Sequence, residues 1–325
     1  MLIDTFNRQI NYLRLSITDM CNLRCIYCRP WHRIKKKTHR ELLSYEEIIK
    51  LARLMNQLGI QRIRVTGGEP LIRRDILYLL KELGKIESLE ELSLTTNGTK
   101  LLQFAWQLKD LGVKRLNISL CSLDKDRYAQ MSGGGNLNDV LLGIKEALNA
   151  GLVPLKINVV IMQGINDDEI MSFTRLTLER ALYVRFIEFM PISQPREVWM
   201  ARYIPSRVLK ERLVSYFTLI PINGLAGNTP VEYYKTEDAV GGIGFISPIS
   251  NHFCSKCNRL RLTPDGYLRL CLGDDIETDL KSPLRSGASD DELKRLIKEA
   301  LKFKSKGHQL QLKVSESRLM SAIGG

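Results

Sequence analysis

The chain has 325 residues, with 48 lysines and arginines against 36 aspartates and glutamates, so its formal net charge is +12. Its composition, 44% hydrophobic and 26% charged with 23 glycines and 11 prolines, excludes a disordered chain, a collagen-like repeat and a disulfide-rich miniprotein. The positive charge favours anionic partners, which are nucleic acid, an anionic membrane surface or a phosphorylated small molecule.

No segment approaches the roughly 20 apolar residues of a bilayer span. The first residues also lack the charged-then-apolar pattern of a signal peptide. We therefore predict a cytoplasmic protein without a membrane partner, in which thiols stay reduced.

The order helix, glycine, strand recurs along the first part of the chain. Ser44 and Glu47 form a capping box before one predicted helix, and Gly59 suits the left-handed position that ends it. The same order recurs around Gly112 and Gly151, and it is typical of parallel βα units. Six strands are predicted near residues 12–18, 61–66, 91–96, 114–119, 153–160 and 182–189.

Polar residues alternate along these strands, although strands buried on both faces are nearly all apolar. A period of two places each polar set on one face of the sheet. If that face met solvent, the helices would have nowhere to pack, so we interpret it as the lumen of an open barrel. Barrel enzymes work at the C-terminal ends of their strands. The lumen set is Arg14, Ser16, Thr18, Arg64, Thr66, Ser93, Thr95, Asn117, Ser119, Lys156 and Asn158.

Three of these lumen residues, Arg14, Arg64 and Lys156, are cations that are costly to bury without a partner. A bound polyanion would satisfy them. Structural ion pairs with Glu69 or Glu188 are the alternative interpretation.

The alternation of helices and strands ends near residue 191. Residues 193–230 are predicted to be rich in loops, with one helix near 205–217, and a last helix is predicted near 289–303. We therefore divide the chain into a barrel of residues 1–230 and a C-terminal region of residues 231–325.

Six of the seven cysteines fall into two sets of three. Thiolates are soft ligands, and such spacing in a reduced compartment indicates zinc or an iron–sulfur cluster. A structural zinc takes four ligands, and His32 or His252 could complete the two sets. Three thiolates on a [4Fe–4S] cluster instead leave one iron open to a small molecule. The first set is Cys21, Cys25 and Cys28, and the second is Cys254, Cys257 and Cys271.

The first cysteine motif, CNLRCIYC, resembles the cluster motif of the radical S-adenosylmethionine (SAM) superfamily. Further segments resemble the family of GTP 3′,8-cyclases in order and spacing over nearly the whole chain. These segments are RVTGGEP, LTTNG, NISL, KINVVI, EFMPI, HFCSKCNRLRLTPDGYLRLCL and the terminal Gly324-Gly325. The resemblance implies an α/β fold, which is a partial TIM-type (βα)6 barrel with a C-terminal extension that binds a second cluster.

The resemblance also implies the activity, the first step of molybdenum cofactor (molybdopterin) biosynthesis. A 5′-deoxyadenosyl radical from SAM abstracts the ribose C3′ hydrogen of GTP, and the carbon radical attacks C8 of guanine. The product is (8S)-3′,8-cyclo-7,8-dihydroguanosine 5′-triphosphate. An electron donor and a downstream enzyme that forms cyclic pyranopterin are the implied partners, and the chain is expected to be a monomer or a homodimer.

The site residues are likewise implied by the resemblance. The two cysteine sets hold two [4Fe–4S] clusters, and the open iron of the second meets guanine. The Gly-Gly tail reaches into the active site, and Arg259 and Arg261 have a catalytic role. SAM contacts are Tyr27, Gly68, Ser119 and Met190. GTP contacts are Arg14, Arg64, Thr95, Lys156, Arg259, Leu260 and Arg261.

Three positions depart from the family pattern. Cys121 stands where the family has Asp, Met20 where it has Arg, and Arg29 where it has Met. Cys121 is two residues from the predicted SAM contact Ser119, which puts the polar network there in question.

Two other functions fit parts of the sequence. A radical SAM enzyme acting on RNA would use the net charge and bind RNA in a salt-sensitive manner, but no RNA-binding motif is present. The second alternative function is that of a zinc protein or an electron-transfer protein without enzymatic activity. The metal content after anaerobic purification separates iron from zinc.

Overall fold

The computed structural model describes residues 1–28, 37–222, 231–311 and 318–324. The strands of this part are β1 Leu2–Ile3, β2 Gln9–Ile10, β3 Tyr12–Ser16, β4 Arg62–Thr66, β5 Glu91–Thr96, β6 Arg115–Ser119, β7 Leu155–Ile161, β8 Leu182–Glu188, β9 Leu219–Ile222, β10 Glu232–Thr236, β11 Gly242–Ile246, β12 Arg259–Leu262, β13 Tyr267–Arg269 and β14 Glu277–Asp279. The helices are α1 Tyr45–Gln57, α2 Ile76–Gly84, α3 Leu101–Asp110, α4 Lys125–Ser132, α5 Leu137–Asn149, α6 Ile170–Glu179, α7 Arg196–Arg202, α8 Ser206–Val214, α9 Lys281–Arg285, α10 Asp290–Leu301 and α11 Met320–Ile323. Among the described residues, no helix has both the length and the apolar composition that a membrane crossing requires.

Six parallel strands form the barrel wall in chain order, from β3 to β8. Helices follow each of these strands and cover the outer face, where the apolar side chains of strands and helices form one core. This arrangement confirms the predicted partial (βα)6 barrel. The predicted strands begin and end within two residues of the observed ones.

Strands that follow β8 in the chain extend this wall at both edges. β11 pairs in parallel with β8, and β12 pairs in parallel with β3, which aligns Arg261 with Arg14. The antiparallel strands β13 and β14 continue the sheet beyond β12, and β10 and β9 continue it beyond β11. The two predicted regions therefore share one sheet, and their division at residue 230 remains a prediction.

The first barrel helix begins where its sequence predicts. Ser44 Oγ accepts a hydrogen bond from the backbone N–H of Glu47 at 3.2 Å, and Glu47 Oε2 accepts one from the N–H of Ser44 at 2.7 Å. Gly59, just beyond α1, has a φ of 111°, which only glycine adopts readily. The capping box therefore sets the start of α1 and the glycine sets its end. The apolar face of this helix packs in the core.

We expect Ser44→Ala to lower the free energy of unfolding by about 1 kcal/mol, because the N–H of Glu47 loses its acceptor. Ser44→Asp retains an acceptor at the same place and should unfold like the parent. Urea unfolding of both variants, followed by circular dichroism, measures the difference. Equal stability of all three proteins would show that solvent replaces the cap without loss.

Candidate active site

The C-terminal ends of the barrel strands surround a cavity that collects most of the predicted site residues. This finding confirms the interpretation of the alternating polar residues as a lumen. From the predicted SAM site, its lining includes Cys21, Cys25, Cys28, Tyr27, Gly68, Ser119 and Met190. From the predicted GTP site, it includes Arg14, Arg64, Thr95, Arg259 and Arg261.

A second cavity adjoins the first and is lined by all three cysteines of the second set. The two cavities share six lining residues, among which are Arg259 and Arg261 of β12. These two guanidiniums therefore lie between the cysteine sets, which are remote from each other in sequence. A molecule bound at the arginines would contact both sites.

The donor sets of the two cavities fit iron–sulfur clusters. All cysteines are free thiols. Zinc ligands surround one ion, whereas the thiolates of a cluster bind separate iron atoms. His252 packs its ring against His308 at 5.6 Å between centroids, and His32 lies outside the described residues.

Gly68 holds the end of β4 against the loop that carries the first cysteine set. Its N–H donates to the carbonyl of Thr18 at 2.7 Å, and the N–H of Glu69 donates to the carbonyl of Met20 at 2.8 Å. A Cβ at position 68 would overlap the Met20 carbonyl group, 2.5 Å from its carbon. Because Cys21 is the next residue, this close approach sets the position of the first set.

The carboxylates proposed as ion-pair partners of the lumen cations have other partners. Glu69 accepts hydrogen bonds from the N–H groups of Leu71 and Asn97 and from Oγ1 of Thr96, at 2.6 to 3.0 Å. Glu188 accepts bonds from the N–H groups of Ser206, Ile249 and Ser250 at 2.8 to 3.0 Å. The alternative that these two glutamates neutralise the lumen cations is therefore wrong.

Glu69 makes stability depend on pH. Burial raises its pKa from the ordinary 4.5 to about 7, although its three donors favour the carboxylate. Between these pH values the folded chain binds a proton that the unfolded chain has released. The free energy of unfolding should therefore fall by about 3 kcal/mol as pH rises from about 4.5 to about 7, and then level off. Urea unfolding of the anaerobic protein from pH 5 to 8 measures this slope.

The control for this pH dependence is Glu69→Gln, which removes the titrating group and keeps the shape of the side chain. Its free energy of unfolding should change less between pH 5 and 7 than that of the parent. An equal slope in both proteins would assign the dependence to other groups.

Six cations surround the lumen, and they repel one another. Burial, followed by the charge of Arg259, lowers the pKa of Arg261 to about 9. Burial, followed by the charge of Arg185, lowers the pKa of Lys156 to about 7. Several guanidinium groups around one cavity suit a phosphorylated ligand, whose oxygens accept their paired N–H donors. The six are Arg14, Arg64, Lys156, Arg185, Arg259 and Arg261.

Arg185 of β8 is a lumen cation that sequence analysis missed. Its side chain lines the first cavity and donates from Nη2 to Oδ1 of Asn117. The strand sequence LYVRFIE holds the signal, since the period of two that selects Arg14 also selects Arg185. Asn97 is a second omission, with its amide nitrogen 3.7 Å from the sulfur of Cys21.

Two predicted GTP contacts do not line the cavity. Leu260 is fully buried in the hydrophobic core, because alternation along β12 turns it away from its two arginine neighbours. Its side chain therefore does not belong to the cavity lining. Lys156 lies near the start of β7, with Nζ 5.7 Å from the ring centre of Tyr233. Its charge interacts with those of Arg185 and Arg64, which do line the cavity.

Cys121, which departs from the family pattern two residues from the predicted SAM contact Ser119, is a buried core residue. Only 3% of its surface is exposed, and burial raises the pKa of its thiol well above the usual value. Its backbone carbonyl accepts a hydrogen bond from the side-chain amide of Asn166 at 2.8 Å. The cysteine therefore packs as a small apolar residue of the core.

The C-terminal residues enter the lumen. Arg261 Nη1 donates to the carbonyl of Ile323 at 3.1 Å and to that of Gly324. Gly324 has a φ of 75°, and a Cβ there would lie 2.5 Å from Cγ2 of Thr66. Gly324 thus lies beside Arg261 and Thr66 in the lumen, and Gly325 lies outside the described residues.

Two family descriptions match successive parts of the chain. "Radical SAM superfamily" matches residues 15–177, and "Molybdenum Cofactor Synthesis C" matches residues 182–310. The first match covers the barrel from the end of β3 to β7 and most of α6. The second covers β8, the C-terminal strands and the second cysteine set.

Curated relatives match over the full length. A GTP 3′,8-cyclase of Moorella thermoacetica is 50% identical over 322 residues, and one of Pelotomaculum thermopropionicum is 45% identical over 323 residues. Each alignment covers 99% of both chains. Among solved structures, Streptococcus suis SuiB bound to precursor peptide SuiA is similar with a TM-score of 0.66 and 15% identity, over 96% of this chain and 75% of that one. The similarity to SuiB concerns the fold alone.

Proposed function

Because this chain belongs to the GTP 3′,8-cyclase family of radical SAM enzymes, we propose that its lumen holds SAM beside the first cysteine set and GTP among the six cations. The chain is a lyase that converts GTP to (8S)-3′,8-cyclo-7,8-dihydroguanosine 5′-triphosphate, the first step of molybdenum cofactor biosynthesis. In this reaction a 5′-deoxyadenosyl radical abstracts the C3′ hydrogen, and the carbon radical attacks C8.

We assign one [4Fe–4S] cluster to each cysteine set. When bound, the first supplies the electron that cleaves SAM, and the second offers an open iron to guanine. Tyr27, Gly68, Ser119 and Met190 line the same cavity as the first set, which supports their assignment to SAM. Within the described residues, both sets face cavities, as sites for small molecules require.

The observation that carries the GTP assignment is the position of Arg259 and Arg261. They line both cavities, so a nucleotide bound to them spans the distance between the cysteine sets. The remaining cations surround the triphosphate from the barrel wall. These cations would hold the ribose near the SAM site, because correct positioning of two bound groups lowers the activation barrier of the reaction between them.

The lumen cations also bear on the partners. The part of the net charge that gathers inside the barrel supports a nucleoside triphosphate rather than RNA as the anionic partner. The reaction requires an external electron donor, and a downstream enzyme that forms cyclic pyranopterin consumes its product. Cytoplasmic location and a monomeric or homodimeric state remain expectations.

Separate substitutions of the two cysteine sets test this function. Cys21→Ser should abolish 5′-deoxyadenosine formation, because the site that cleaves SAM is lost. Cys254→Ser should retain SAM cleavage but lose the cyclised product. Anaerobic assays with dithionite, SAM and GTP, analysed by mass spectrometry, measure both products, and iron analysis gives the clusters per chain. Normal cyclisation by both variants, or zinc in place of iron, would contradict the assignment.

A further inference from the structure

Lys304, three residues beyond α10, is a buried lysine beside the second cysteine set. Only 3% of its surface is exposed. Its Nζ donates to the carbonyl oxygen of Arg259 at 3.1 Å and to that of Leu270. None of the ion pairs between described residues includes Lys304, so its charge has no carboxylate partner there. A buried ammonium without a counter-charge is costly and indicates an anion nearby.

Arg8 approaches the same set from the opposite end of the chain. It lies in the turn between β1 and β2, and its Nε donates to Oδ2 of Asp4 at 2.6 Å. Its Nη1 donates to the carbonyl of Cys254 at 2.7 Å and to that of Lys306 at 3.0 Å, while Nη2 donates to Ser305 at 2.7 Å. Arg8 therefore ties the loop of Cys254 to the segment that carries Lys304.

Together the two cations hold the backbone beside all three ligands of the second set. Arg8 binds the carbonyl of Cys254 itself. Lys304 binds the carbonyls of Arg259, two residues after Cys257, and Leu270, the residue before Cys271. These contacts fix the positions from which the three thiolates reach a metal group, in the way that outer contacts orient metal ligands elsewhere.

We propose that Lys304 and Arg8 are positioning residues of the second cluster, which fix its ligand backbone and balance its charge. The inference rests on the proposed assignment of a [4Fe–4S] cluster to this set. Three thiolates on an oxidised 2+ cluster leave a net charge of −1, and one electron makes it −2. The net charge and surroundings of a cluster set its potential. The positive charge of Lys304 favours the reduced cluster, which is the more negative form. The charge of Arg8 is offset by Asp4, so Arg8 acts mainly through its hydrogen bonds.

The charge of Lys304 is tested in full-length protein with Cys21, Cys25 and Cys28 replaced by alanine, so that only the second cluster gives a signal. In a reductive titration followed by electron paramagnetic resonance, K304Q should lower the ratio of reduced to oxidised cluster about tenfold at a fixed potential. This change equals about 59 mV for one electron. K304R keeps the charge and should titrate near the parent. An unchanged titration in K304Q overturns the role of Lys304.

The positioning role of Arg8 is tested by iron release. R8M should lose iron from the second cluster to a chelator about tenfold faster than the same parent. In the reciprocal protein, with the second set replaced by alanine, R8M should leave iron release from the first cluster unchanged. Equal acceleration in both proteins would show general destabilisation and overturn the role of Arg8. If the first parent binds no iron at all, the two-cluster assignment itself fails, and this inference with it.

Discussion

Replacing Gly68 with alanine is expected to lower the rate of SAM cleavage by about 100-fold or more. The added methyl group would overlap the carbonyl of Met20, so either the end of β4 or the cysteine loop must move by about 1 Å. A displacement of that size between reacting groups costs about two orders of magnitude in rate. The formation of 5′-deoxyadenosine under anaerobic conditions measures the effect, and iron analysis shows whether the first cluster is retained.

Gly84→Ala is the matched control. This glycine closes α2, and a Cβ there would meet only the carbonyl of Leu111, at 3.6 Å. Alanine is a better helix former by about 1 kcal/mol, so the variant should be as stable as the parent and as active. Full activity of Gly68→Ala would show that the cysteine loop adapts to the methyl group, and would remove the reason given for glycine at this position.

The Arg261→Met variant should bind GTP about 100-fold more weakly. Without GTP its stability should change little, because the loss of the bonds to the carbonyls of Ile323 and Gly324 is offset by the removal of a buried cation that its neighbours repel. The guanidinium of Arg261 faces both cavities, and methionine removes it as a partner of GTP. Loss of one member of a buried charge pair typically costs 2 to 5 kcal/mol of binding free energy, and a 100-fold loss of affinity corresponds to about 2.7 kcal/mol. Without GTP, burial and the charge of Arg259 disfavour the cation, as its pKa of about 9 indicates. Anaerobic calorimetry measures GTP affinity, and urea unfolding measures stability.

Arg53→Met controls for the loss of one positive charge. The Arg53 side chain is 54% exposed on α1 and pairs with Glu82 at 3.6 Å, away from the lumen. Its removal should leave GTP affinity within about twofold of the parent, because salt screens exposed charges. If Arg53→Met and Arg261→Met weakened GTP binding equally, the overall charge and not the lumen would attract the nucleotide.

Local patterns were sufficient to predict the barrel half of this fold. Capping residues, helical spacing and glycines recur within windows of about 15 residues, and they predict elements such as α1 correctly. The period of two also predicts which side chains enter the lumen, because neighbouring side chains on a strand face opposite ways. Arg64 and Ser119 therefore line the cavity as predicted.

Pairings between distant segments were not predictable in this way. No local pattern shows that β12 joins β3, which places Arg261 beside Arg14. The contacts of Arg8 and Lys304 were missed for a related reason. Both side chains bind backbone carbonyls, and every residue has a carbonyl, so the sequence around the acceptor carries no signal.

The position of β3 between β4 and β12 governs the order in which the wall forms during synthesis. Beside β12, the side-chain amide of Asn258 binds Asn11, 247 residues earlier in the chain. Such contacts form late, because the intervening chain must be ordered first. Until then, β3 presents an unpaired edge, on which a nascent or truncated chain can add a strand from a neighbour. Chains that stop before β12 should therefore aggregate, even though their barrel strands are complete.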